Sequence, residues 1–177
     1  MIKQIITAMT ALTILTLSAM AQASLKVGDQ APEFSMKGSD GKTYSLSDYK
    51  GKQSIVIAWF PKAFTSGCTI ECKSLADNGH LLKKFNAQYF MASTDDASDN
   101  KRFAQETKAD FPLLSDPEGE VAEAFGVKSF LGYAKRYTYY IDKTGKIVMI
   151  DKNVRPETSA EDMAKYMKML DFETVSE

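Results

Sequence analysis

Histidine is almost missing: His80 is the only one in 177 residues, beside two cysteines, Cys68 and Cys72, and a single tryptophan, Trp59. His80 follows the breaker Asp77-Asn78-Gly79, so the chain offers no Cys–His catalytic pair, and the imidazole is assigned to surface or packing. Charge of one sign is lacking as well. The 22 Lys and Arg nearly balance the 23 Asp and Glu, for a formal net charge of -1. That leaves no basic stripe for nucleic acid and no polybasic patch for a membrane. Internal repeats and low-complexity segments are absent too.

The long apolar run, residues 5–20, lies near the amino terminus, where Lys3 is the only charge in residues 1–23. Ala19-Met20-Ala21 and Ala21-Gln22-Ala23 both satisfy the small-x-small cleavage rule, with either alanine as the last residue removed. The run falls short of the ~20 apolar residues of a membrane span and is interrupted by Thr7, Thr10, Thr13 and Thr16. Residues 1–23 are therefore expected to be a cleaved signal peptide, and residues 24–177 a single exported domain in the periplasm or outside the cell. No cysteine follows the run to carry a lipid, and no stable membrane insertion is expected after cleavage. The remaining chain has a formal charge of -2 without Lys3. At this length a domain buries about 68–70% of its unfolded surface.

Pro32 fixes its own φ and biases Ala31 toward extended backbone, so residues 25–34 read as an extended surface segment. Asp40-Gly41 is a hairpin signal, with a return strand expected over 43–46. Residues 53–60 are apolar almost throughout and β-branched at Ile55, Val56 and Ile57, as in a fully buried strand. A helix follows Cys68, carrying Ile70, Leu75, Leu81, Leu82 and Phe85 across the break at 77–79. Strands are then expected at 89–93 and 111–114, with a helix from Asp99 to about Thr107 between them. Ser115-Asp116-Pro117 is expected to start a further helix that ends near Gly126. A strand pair at 136–141 and 147–150 and a helix from Ser159 to about Leu170 complete the chain. Met163 and Met167, four apart, read as its core face. Strand–helix alternation of this kind implies an α/β sheet with helices on both faces.

The chemistry concentrates at 60–72, Phe-Pro-Lys-Ala-Phe-Thr-Ser-Gly-Cys-Thr-Ile-Glu-Cys. A buried strand, turn residues and then a cysteine opening a helix place sulfur among unpaired backbone N–H groups at the positive end of the helix dipole. Cysteines so placed can have pKa values of about 3.5–7.5 rather than about 8.5, and the thiolate is the nucleophile. Glu71, in the first turn, reads as a complement to the dipole.

Pro61, Thr65 and Cys68 fit the Pro-x-x-x-Thr-x-x-Cys motif of peroxiredoxins, and Phe-Pro-Lys before it with Gly-Cys-Thr after it resemble the PrxQ, or bacterioferritin-comigratory, branch of the AhpC/TSA family. Gly28-x-x-Ala31-Pro32-x-Phe34, Phe111-Pro112-Leu113-Leu114-Ser115-Asp116 and Tyr140-Ile141-Asp142-Lys143-x-Gly145 are similar to other parts of that family. The resemblance implies a thioredoxin fold with a peroxiredoxin-type N-terminal β-hairpin and insertion, a central mixed sheet flanked by helices, and no cofactor or metal. It implies a thiol-dependent peroxidase acting on hydrogen peroxide and/or organic hydroperoxides, with Cys68 as the peroxidatic thiolate and Thr65 as a hydroxyl partner for the peroxide. Arg136 is implied as the stabilising cation, with Lys135 beside it as the residue a slip in alignment would substitute. Pro61 is implied to shield the pocket. Each has a plainer reading: Thr65 as a helix cap, Arg136 as a surface residue, Pro61 as a strand terminator.

Two departures stand out. Ser66 occupies a position where the branch commonly has proline. Cys72 lies four residues after Cys68, where the resolving cysteine of the branch lies five after. At that spacing on a helix the Cβ atoms are about 5–6 Å apart, against about 3.8 Å in a disulfide, so the first turn has to unwind to close one. Cys72 is expected to resolve Cys68, and resolution by an external thiol remains the alternative. The reductant is expected to be a thioredoxin-like dithiol protein, and the oligomer a monomer or dimer. The competing readings are a Sco-like copper chaperone, since paired thiolates suit Cu(I), and a thiol–disulfide oxidoreductase of the exported compartment.

Overall fold

The computed structural model describes residues 24–175. The proposed signal peptide, residues 1–23, lies outside them. Among the described residues no helix is long and apolar enough to cross a membrane.

Seven strands form one sheet: β1 (Ser35–Gly38), β2 (Thr43–Ser45), β3 (Ser54–Trp59), β4 (Ala87–Ser93), β5 (Leu113–Ser115), β6 (Tyr137–Ile141) and β7 (Ile147–Asp151), in the order β2-β1-β5-β4-β3-β6-β7. β3 pairs parallel to β4 and antiparallel to β6, and β4 pairs parallel to β5. All six residues of β3 are buried, which explains why its sequence is apolar throughout instead of alternating.

Alternate β3 side chains feed two cores. Val56 and Ala58, continued by Phe60, face α1 (Ser66–Asp77), α2 (Ala97–Thr107) and α4 (Ser159–Met169), where Leu75, Phe103, Met163 and Met167 close the layer. Ile55, Ile57 and Trp59 face the other side, with Phe90, Phe125, Tyr139 and Phe34. Helix α3 (Glu120–Ala124) covers part of that second face.

Most elements stand where the pattern put them, with shifts that have physical causes. Residues 25–34 are neither extended throughout nor peripheral: the chain turns at Lys26–Asp29, where Gly28 has φ +98° and the Asp29 N–H donates to the Lys26 carbonyl at 3.2 Å. Gly28 and Ala31 N–H groups donate to the Ile147 and Gly145 carbonyls at 2.8 Å, and Ala31 and Phe34 are buried. Helix α3 starts three residues later than Pro117, because Gly119 adopts φ +69° at its N-cap, while the Asp116 carboxylate accepts from the Ala122 N–H at 2.7 Å. Ile70 is 39% exposed and belongs to the outer face of α1. Met163 and Met167 are core residues, as their spacing implied.

Candidate active site

The β3 strand ends at Trp59, and the loop that follows turns into α1 at the carboxyl end of the sheet's parallel strands. Thr65 is the N-cap of α1, with extended backbone (φ -80°, ψ 152°), so Cys68 is the third residue of the helix. Its backbone N–H is among those without an intrahelical acceptor, and its sulfur sits at the positive end of the dipole. The thiol is fully buried.

Arg136, one residue before β6, reaches this helix start because β6 is hydrogen-bonded to β3. Its Nη2 donates to Cys68 Sγ at 3.1 Å, while Nη1 donates to Glu71 Oε2 in an ion pair. Of the two adjacent cations, Arg136 is the inward one. Lys135 is exposed, with Nζ 6.0 Å from the Tyr137 ring centroid. A guanidinium suits the position because it stays charged and its fixed fork serves two acceptors at once. Gly67 leaves the room it needs: a Cβ there would lie 3.2 Å from Arg136 Nη2.

Glu71 is not the first-turn dipole complement expected, because α1 starts at Ser66 and Glu71 is its sixth residue, past the first turn. It is completely buried, and its second oxygen, Oε1, has no hydrogen-bond partner among the described residues. Burial pushes its carboxyl up to about 7, against the opposing pull of Arg136. A signal for this was present. Residues 68, 71, 72 and 75 follow the i, i+3, i+4, i+7 rule, which puts Glu71 on the same inward face as both cysteines and Leu75.

The Thr65 hydroxyl does not cap the helix; it donates to the Lys62 carbonyl at 2.9 Å. Its proton is thereby committed, and its lone pairs remain free to accept. Pro61 is half-buried at the exit from β3.

The loop between them is tied down from below by a group that sequence reasoning missed. Asp95, buried just after β4, accepts from the Ala63 N–H at 2.8 Å and from Ser93 Oγ at 3.0 Å, and pairs with the Lys62 ammonium. Asn100 of α2 extends this network to Ser115 Oγ at 2.9 Å and the Leu114 carbonyl at 3.2 Å. Above it Phe64 holds a left-handed backbone (φ 65°), with its ring edge-on to Phe103 at 5.3 Å and under Arg102 at 5.0 Å.

Cys72 is also fully buried and free, on the same inward face as Cys68, with its hydrogen-bond partner on α2. Its sulfur lies 3.1 Å from Thr107 Oγ1 on α2, and burial pushes its thiol up to about 12. His80 is exposed beyond the far end of α1. Among the described residues no three His, Cys, Asp or Glu side chains gather as a metal site.

Comparison with known proteins agrees with this geometry. Residues 27–150 match the AhpC/TSA family model. The chain is 41% identical over 130 residues to peroxiredoxin Bcp of Escherichia coli strain K12, covering 70% of this chain and 83% of that protein. It is 34% identical over 151 residues to a chloroplastic peroxiredoxin Q of Suaeda salsa, covering 84% of this chain and 70% of that protein. The crystal structure of peroxidoxin BcpB from Mycobacterium tuberculosis superposes with a TM-score of 0.75 at 29% identity, over 82% of this chain and 97% of that one. The copper-chaperone reading is not favoured by any of these. With a thiol held between a guanidinium and a helix start, on a mixed sheet shared with those relatives, the chain belongs to the AhpC/TSA family as a peroxiredoxin of the Bcp and PrxQ kind.

Proposed function

We propose that the thiol-dependent peroxidase activity of this family is carried here by Cys68 as the attacking thiolate, with Arg136, Thr65 and Pro61 shaping the pocket. The observation that carries the assignment is the 3.1 Å contact of Arg136 Nη2 with Cys68 Sγ at the start of α1. A guanidinium N–H and a helix N-terminus both give negative charge on sulfur a partner. Their positions are fixed before the substrate arrives, which is the condition for electrostatic stabilisation without reorganisation.

The thiolate attacks one oxygen of a hydroperoxide ROOH, the O–O bond breaks, and the departing RO⁻ takes a proton to leave as ROH. Cys68 becomes a sulfenic acid. Thr65 Oγ1 accepts the hydroperoxide's O–H, and Arg136 faces the charge that grows on the departing oxygen. Thr65 is exposed where Cys68 is buried, so the substrate enters from the side of the 61–65 loop.

Cys72 then supplies the second thiol. Its thiol gives up its proton, the thiolate attacks the sulfenic sulfur, a Cys68–Cys72 disulfide forms, and the sulfenic hydroxyl leaves with that proton as water. Both sulfurs are free and on one helix here, so this step needs the first turns of α1 to open. A thioredoxin-like dithiol protein returns the disulfide to two thiols. The chain works after export, once residues 1–23 are removed, on hydrogen peroxide or organic hydroperoxides.

The test is the rate at which the reduced protein consumes one equivalent of hydrogen peroxide, with intact mass read afterwards. Oxidation orders of magnitude faster than free cysteine, lost in Cys68→Ser and ending in a disulfide, is the expected result. A rate like that of free cysteine rejects the role given to Cys68. A fast reaction that stops at the sulfenic acid removes Cys72 from the cycle.

A further inference from the structure

Cys72 shares the inward face of α1 with Cys68 but is bonded elsewhere. Its sulfur is turned toward α2, and its partner there is itself constrained. Thr107 is buried, and its hydroxyl lies 2.7 Å from the Phe103 carbonyl one turn earlier, the geometry of a threonine bonding back along its own helix. A hydroxyl has one proton to give. While that hydrogen is directed at the Phe103 carbonyl, the 3.1 Å contact with Cys72 is one in which the thiol's hydrogen donates to a lone pair of Thr107 Oγ1. The chain Cys72 S–H, Thr107 O–H, Phe103 C=O ties α1 to α2 by a proton that Cys72 has to release before it acts as a nucleophile.

We infer that Thr107 is a positioning residue for the second half of the reaction: it latches Cys72 in the packed, protonated state and thereby sets how long the Cys68 sulfenic acid persists. This rests on Cys72 being the resolving thiol. Two fates compete for the sulfenic acid. In one, Cys68–SOH and HS–Cys72 give the disulfide and water. In the other, a second peroxide oxidises Cys68–SOH to the sulfinic acid, releasing water from hydrogen peroxide. The latch opposes the first and leaves the second untouched, so it fixes the peroxide level at which the enzyme is inactivated.

Thr107→Val keeps the branched shape and removes the hydroxyl, while Thr107→Ser keeps the hydroxyl and removes the methyl. Reduced protein is mixed with hydrogen peroxide, quenched at timed intervals, and its sulfenic, disulfide and sulfinic forms are counted by intact mass. A neutral hydrogen bond from a weak S–H donor corresponds to about a two- to fivefold change in rate. The expected result is that Thr107→Val forms the disulfide about two- to fivefold faster, with the half-inactivating peroxide concentration raised in proportion, while Thr107→Ser follows the wild type. Equal rates in the wild type and Thr107→Val overturn the latch, and so does acceleration in Thr107→Ser alone, which would mark a packing effect. Thr107→Ala carries the same expectation should the valine variant not fold. A wild type that forms no Cys68–Cys72 disulfide at all overturns the resolving role of Cys72 and the latch with it, which separates that failure from the others.

Discussion

Glu71 and Arg136 share a site in which one acid carries opposing demands. Removal from water disfavours the ionised carboxyl, the guanidinium favours it, and the balance stands at about 7. In the unfolded chain the same carboxyl titrates near its ordinary value of about 4.3. The folded state thus holds this proton more tightly than the unfolded state. Between about pH 4.5 and 7 the native protein binds more protons, so Glu71's contribution to stability falls as pH rises through that window. Glu71→Gln removes the titration. Urea unfolding of both proteins at pH 5 and pH 8 is expected to show the wild type losing ground to the variant at the higher pH. A difference independent of pH would mean that Glu71 is ionised throughout. The residue was within reach of sequence reading, since its spacing from Cys68 marks the inner face. Its pairing with Arg136 was not, because that contact spans 65 positions and depends on β6 lying next to β3.

At the scale of elements, the 61–65 loop is where strain and anchorage meet. A phenylalanine at φ 65° costs of order 1 kcal/mol or more, and such a conformation persists only when its surroundings determine it. Asp95 does so from below, through the Ala63 N–H and the Lys62 ammonium. The α2 helix does so from the side, through Phe103 and Arg102. Asp95→Asn keeps the size of the side chain and removes its charge. The Lys62 partner is 45% exposed, so water takes up much of that loss. The cost in stability is expected to be about 1–3 kcal/mol, typical of hydrogen bonds to a buried charged group. Peroxide turnover is expected to fall by more than stability does, by about ten- to a hundredfold, because small misplacements of Thr65 and Cys68 are expensive. Single-turnover oxidation measured beside iodoacetamide alkylation of Cys68 checks this: lost positioning slows the first and spares the second, whereas a general loosening alters both. The motif Pro-x-x-x-Thr-x-x-Cys announced the loop itself. The group that shapes it lies on the far side of β4, in a polar Ser-Thr-Asp-Asp stretch that reads from sequence as an ordinary strand exit. The late start of α3 is a local matter: a left-handed Gly119, and an Asp116 carboxylate accepting from the Ala122 N–H six residues on, decide it instead of Pro117.

For the whole molecule, the sheet divides the consequences of catalysis. The buried run of β3 was legible because a strand covered on both faces has no polar alternation to hide it, and the paired strands around it followed from turn residues. What the pattern could not rank is which core each face serves. Both cysteines belong to the layer with Phe60, Phe103, Met163 and Met167, while Trp59, Phe90, Phe125 and Tyr139 pack on the opposite side of the same strands. On the proposed cycle, closing a Cys68–Cys72 disulfide would draw Cys72 out of the first layer and open the start of α1, while the second layer lies across the sheet from both sulfurs. Local opening of this kind has its own free energy, separate from global unfolding. Amide hydrogen exchange on the reduced and the oxidised protein is expected to show protection falling by about tenfold or more over residues 68–72. Amides at the centre of β3 and β4, and those of α3 on the opposite face, keep their rates. Loss of protection spreading through β3 would mean that the two layers open together, and the reduction step would then have to rebuild the core and not a single helical turn.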